Sequence, residues 1–134
     1  MRVAVSVPVV ILTDLLQNRD PHILVLIDGD RMIFNTNLLR EGEAGGKQAA
    51  TVLQNAVQQW ATDKVIEYPK DTKVVVRIYA NLKGLADVCT KAGLVTSPNT
   101  IEDFFRGFTR GKPLFDFVDV GYGKDRADLK VSGR

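Results

Sequence analysis

Six residues with oxygen-bearing side chains fall at recurring positions in this chain. Asp28 and Asp30 flank Gly29 directly after the apolar run Ile23 to Ile27. Asn81 follows the run KVVVRIY at 73–79, and Asp119 comes near the end of LFDFVDV at 114–120. Asp125 and Asp128 come just after, three residues apart, a spacing that puts both on one face of a helix. Carboxylates gathered in this way suit a hard divalent cation such as Mg²⁺ or Mn²⁺, which prefers oxygen ligands. Each acid alone serves equally well as the cap of a turn or helix. The group argues for metal, because like charges packed closely repel one another without a cation or raised pKa values.

The elements that must bring these residues together are legible in the apolar pattern. HILVLID reads as a strand buried on both faces, the central strand of a parallel sheet, with Gly29 turning the chain sharply at its end. The runs at 73–79 and 114–120 read as two further strands. In a parallel sheet all three point their carboxyl ends to one edge, where open α/β sheets bind ligands. Residues 2–7 are expected as a short strand or lead-in, and Pro8 is expected to open a helix reaching Asn18. Residues 35–46 read as a polar loop, followed by a helix from Ala44 or Gly45 to Thr62. In that helix Ala49, Val52, Leu53, Ala56, Val57 and Trp60 mark one apolar face, with Trp60 packing in the core. A helix from Leu82 ends near Gly93, and Ser97-Pro98 caps another that carries Ile101, Phe104, Phe105 and Phe108 and stops at Gly111. Lys124 to Val131 reads as the start of a last helix. Strands alternating with helices give an α/β, three-layer Rossmann-like fold with a mainly parallel sheet flanked by helices, in a single domain over 1–134.

Composition narrows the function classes. With 18 basic and 16 acidic residues the net charge is only +2, so no gross electrostatic footprint for nucleic acid is present. One cysteine and one histidine cannot make a zinc site, and lone Cys89 has no partner for an internal disulfide. This fits a reducing, intracellular compartment, cytoplasmic or nuclear. No apolar run approaches the roughly 20 residues of a membrane-spanning helix. Gly121-Tyr122-Gly123-Lys124 lacks the spacing and hydroxyl of a phosphate loop.

The segments VLIDGDRMIF, VVVRIYANLKGL and FFRGFTRGKPLFDFVDVGYGKDRADLKV, in that order, resemble the NYN/PIN-like domain of fungal proteins that also carry CCCH zinc fingers. The resemblance covers about Leu24 to Val131 and is most specific in FDFVDVGYGKDRADLKV. It implies a Rossmann-like, Mg²⁺- or Mn²⁺-dependent ribonuclease fold. Asp28 then resembles the first-strand metal ligand, Asn81 and Asp119 line the same pocket, and Asp128 is the acid of the later helix. Asp30 and Asp125 join the metal set, Asp125 standing where glutamate is commoner. The activity implied is hydrolysis of RNA phosphodiesters, with single-stranded RNA as partner. Lys124 is placed to meet a phosphate, and Arg31, Lys47, Lys83, Arg106, Arg110 and Lys112 are scattered candidates for the RNA backbone. The family pattern continues to a further strand and a His-Asp-Asn-Gly segment with another acid, where this chain stops at Arg134. The expectation is therefore a weaker metal site and an uncovered strand edge or apolar face suited to a homodimer. The alternative is a non-catalytic RNA-binding or homodimerising module on a degenerate nuclease fold.

Overall fold

A computed structural model of the chain describes residues 2–6, 9–14, 22–30, 35–64 and 72–121. Side chains are described from His22 onward. The elements are β1 (Arg2–Ser6), β2 (Val9–Asp14), β3 (His22–Asp28), α1 (Thr36–Arg40), α2 (Gly42–Lys64), β4 (Lys73–Ala80), α3 (Leu82–Lys91), α4 (Pro98–Gly111) and β5 (Phe115–Asp119). The fold is mixed α/β. One five-stranded sheet runs in the order β1-β2-β3-β4-β5, and β3, β4 and β5 are its three parallel strands.

Within the expected helix from Pro8 to Asn18, the described residues Val9–Asp14 form strand β2 instead, and the rest of that span lies outside the described residues. Val9 to Asp14 pairs antiparallel with β3, Val10 opposite Leu26 and Leu12 opposite Leu24. Its VVIL run is β-branched, and pairing with an apolar neighbour decides what a short apolar run alone leaves ambiguous. β1 pairs antiparallel with β2 in turn, so the sheet is mixed.

The expected loop at 35–46 contains a helix. The Asn35 side chain accepts the N–H groups of Asn37 at 2.8 Å and Leu38 at 3.4 Å, which caps α1. Gly42, at φ +58°, then separates α1 from α2. α3 ends as the sequence implies, with Gly93 at φ +75°, and Ser97 Oγ accepts the Asn99 N–H at 3.2 Å to cap α4.

Consecutive parallel strands joined by right-handed crossovers put their helices on one face of the sheet. The core agrees with that arrangement. It joins Ile23, Val25 and Ile27 of β3, Val74, Val76 and Ile78 of β4 and Phe115 of β5 to Ala50, Val57, Ile101, Phe104 and Phe108 of the helices. Phe105 stacks on Phe117 at 4.2 Å between centroids, and Trp60 packs half-buried against the same cluster. The other face of β4, formed by Lys73, Val75, Arg77 and Tyr79, is exposed or half-buried. Burial of the parallel strands on both faces, expected from sequence, therefore does not extend to β4.

α2 and α4 meet at their backbones. A Cβ on Gly46 would lie 1.8 Å from the Phe104 carbonyl oxygen, and one on Gly107 would lie 2.0 Å from that of Glu43. Only glycine permits this approach. Arg110 and Lys47 close the rim through Glu43, at 3.2 and 3.7 Å.

Candidate functional site

The parallel register aligns three strand ends. Asp28 lies beside Tyr79 and Asp119 beside Ala80, so Asp28, Asn81 and Asp119 share the carboxyl edge of β3, β4 and β5. Gly29 follows Asp28 and lies in the turn expected of it, made without a positive φ. What it needs is room: a Cβ there would stand 2.7 Å from Ile78 Cγ2 and 3.0 Å from Ala80 Cβ. The Gly29 N–H donates to the Tyr79 carbonyl at 2.8 Å, carrying the β3–β4 contact one residue past the strand.

Asp28 is 2 % exposed, and its Oδ1 accepts the Asp30 N–H at 3.2 Å. The Asp30 carboxylate reaches across to β4 and accepts the Asn81 N–H at 3.1 Å. Asp119 Oδ1 accepts two N–H groups, from Leu82 at 3.2 Å and from Gly121 at 3.0 Å. Asn81 is the N-cap of α3, its Oδ1 accepting the Gly84 N–H at 3.1 Å. Gly84 leaves room for that cap, since a Cβ there would sit 2.6 Å from Asn81 Nδ2. Three side chains from the ends of three strands thus surround the amino terminus of α3, where unpaired N–H groups and the helix dipole favour negative charge.

The charges still interact. Partial burial pushes the Asp30 carboxyl above its ordinary value, the hydrogen bond from Asn81 pulls it back, and the nearby Asp119 charge pushes it up again. Among the described residues, no three His, Cys, Asp or Glu side chains gather closely enough to hold a metal ion. Asp125, Asp128, Lys124 and Arg31 lie outside the described residues.

Of the other basic candidates, Lys83 stands in the first turn of α3, at this edge, and the remaining ones lie elsewhere. Lys47 and Arg110 pair with Glu43, and Arg106 pairs with Asp103 at 2.6 Å. Lys112 lines a cavity of about 280 Å³ with Gln54, Thr72 and Phe115, at the amino ends of β4 and β5. A second cavity, of about 290 Å³, is lined by Arg40, Leu94, Val95, Thr96 and Thr100, and neither cavity includes any of the acids. Sequence reasoning offers capping as the alternative role of each acid, but not which N–H groups Asp30 and Asp119 accept, which depends on where α3 begins in space. It also missed the link from Arg40 Nε to the Leu94 carbonyl at 2.9 Å. An Asn directly before an apolar helix was the one signal that pointed to a cap at Asn81.

These features define a mixed α/β domain whose acids and one carboxamide meet at the carboxyl edge of three parallel strands. Among the described residues no helix is long and apolar enough to cross a membrane. The chain belongs to the family described as a domain of unknown function, DUF7923, whose profile matches residues 17–134. No curated protein and no solved structure matches it.

Proposed function

We propose that this is a metal-dependent ribonuclease-like domain of NYN/PIN type, hydrolysing RNA phosphodiesters at the carboxyl edge of its parallel strands. The observation that carries the reading is convergence: Asp28 and Asp30 after β3 and Asp119 at the end of β5 flank Asn81 after β4, close enough for Asp119 to act on Asp30. The donors are all oxygens, which fits Mg²⁺ or Mn²⁺ in kind. They do not reach a set of three among the described residues, so the reading also requires Asp125 and Asp128. A bound cation would supply charge stabilisation at phosphate and a more acidic water. With its Oδ1 engaged by Gly84, Asn81 can offer a phosphate oxygen only its Nδ2 donors. Lys124 and Arg31 are the proposed contacts to single-stranded RNA. The Rossmann-like, three-layer arrangement belongs to the same proposal and requires a second helical layer beyond the described residues, whose helices lie on one face of the sheet.

Two measurements test it. Millimolar Mn²⁺ should raise the melting temperature by mass action, and Asp28→Asn should remove most of that rise. A labelled single-stranded RNA should be cleaved slowly with Mn²⁺, and Asp28→Asn and Asp128→Asn should abolish the cleavage. Melting indifferent to Mn²⁺, together with cleavage that survives both substitutions, refutes the reading.

One observation favours a second reading, a non-catalytic RNA-binding or homodimerising module on a degenerate nuclease fold. Asp30, Asp119 and Asn81 are each engaged in capping α3. β5 closes the sheet order, and among the described residues it pairs only with β4. Sedimentation equilibrium should then show a dimer at micromolar concentration, and a monomer throughout that range would remove the homodimer.

A further inference from the structure

We infer that Asp119 is a positioning residue: its carboxylate fastens the amino end of α3, and with it Asn81, to the end of β5, and it serves the candidate site through that placement rather than as a ligand to a cation. The inference rests on reading this edge as the site. Leu82 is the first residue of α3, so its N–H is one of the four that have no acceptor inside the helix. Asp119 Oδ1 supplies that acceptor at 3.2 Å. The same oxygen takes the Gly121 N–H at 3.0 Å, and Gly121 adopts φ +71°, a conformation that suits glycine. Between these two bonds the Val120 N–H donates to the Ala80 carbonyl at 2.9 Å. The turn after β5 and the turn after β4 are therefore fastened to each other at two points, one through the backbone and one through Asp119.

The neighbouring amides are accounted for in the same way. Asp30 accepts from Asn81, and Asn81 accepts from Gly84. The N–H groups of residues 81, 82 and 84 thus each meet a side-chain oxygen, and each oxygen comes from a different strand end. Negative charge at a helix amino terminus is favourable, so helix and caps offset part of the repulsion between Asp30 and Asp119 without any cation. The two roles open to Asp119 then differ in sign in the metal-free protein. A carboxylate that only repels its neighbours destabilises the fold, and neutralising it raises the melting temperature. A carboxylate that caps stabilises the fold, and deleting its oxygen lowers the melting temperature.

The experiment compares the full chain with Asp119→Ala and Asp119→Asn in EDTA. Asp119→Ala should lower the melting temperature by about 3–6 °C, the usual effect of a lost cap in a chain of this size. Asp119→Asn keeps an acceptor at Oδ1 and should recover at least half of that loss. Amide exchange at Leu82 should accelerate about tenfold in Asp119→Ala and much less in Asp119→Asn. Both variants melting at or above the parent, or Leu82 exchange unchanged in Asp119→Ala, overturns the inference. Repeating the melts with millimolar Mn²⁺ separates it from the reading beneath. A parent without a Mn²⁺ shift removes the metal site, and the EDTA series still decides the clamp. A parent shift retained in Asp119→Asn supports positioning. A shift lost in Asp119→Asn, with its EDTA melt unchanged, makes Asp119 a ligand and overturns the inference.

Discussion

Gly46→Ala sets two effects of opposite sign against each other at the α2–α4 crossing. Gly46 lies within the 23-residue helix α2, and replacing an interior helical glycine by alanine ordinarily stabilises by about 0.8–1 kcal/mol. Here the new methyl would stand 1.8 Å from the Phe104 carbonyl oxygen and 2.7 Å from the Phe108 backbone nitrogen. Neither atom belongs to a side chain that can swing away. To restore ordinary contact the two helices must part by roughly 1.5 Å. That separation loosens Phe104, Phe108 and Ala50, all fully buried at this junction. Overpacking a well-filled core costs about 1–3 kcal/mol, and contact with backbone puts this site at or above the upper end. The steric cost wins, for a net loss of about 2 kcal/mol or more, a large share of an ordinary domain's stability. Urea unfolding by circular dichroism at constant m-value measures the difference, and Gly46→Val should be worse again. A Gly46→Ala variant as stable as the parent, or more stable, would show that the helices do not touch at this point.

Gly29→Ala should destabilise by about 1–2 kcal/mol in the same assay, because its methyl meets fully buried Ile78 at 2.7 Å; an unchanged midpoint would refute the close approach of β3 and β4. The pH dependence of Asp30 has a definite sign. A carboxyl whose folded pKa is raised binds its proton more tightly in the folded state, so its contribution to stability is greatest at low pH and declines as pH rises from the unfolded value of 3.8 through the folded one. Asp30→Asn, which keeps an acceptor for the Asn81 N–H, should therefore gain on the parent at pH 7, with the difference shrinking as pH falls toward 4. A difference that does not vary with pH would refute the shift.

The parallel strands could be read from sequence because their apolar runs are long and bounded by turn residues. The same pattern misleads at VVIL, where Pro8 before an apolar run argues for a helix and the pairing of Val10 with Leu26 makes a strand instead. α1 was hidden because NTNLLREG is polar overall, although Asn35 as cap and Gly42 as break were both present in it. Glycine was the least legible residue. Gly29 does lie in a turn, but what requires glycine there, as at Gly46 and Gly107, is close approach between elements distant in sequence. For the site, parallel geometry was enough to place Asp28, Asn81 and Asp119 on one edge. Which N–H each carboxylate accepts follows from the position of α3, and no local spacing encodes that.

Asp28 and Asp119 should respond differently to metal because their surroundings differ. Asp119 is exposed and its charge rests against a helix terminus, so water and amides already stabilise it and a cation adds little. Asp28 is 2 % exposed, so little water competes with a cation for its carboxylate oxygens. Its bond from the Asp30 N–H orients one oxygen toward the loop that carries Asp30. A cation arriving at this edge therefore gains more from Asp28 than from Asp119. If the edge binds Mn²⁺, Asp28→Asn should erase the thermal shift while Asp119→Asn leaves most of it. Equal losses in the two variants would mean that burial does not rank the acids, and the assignment of Asp28 as the principal ligand would fall with it.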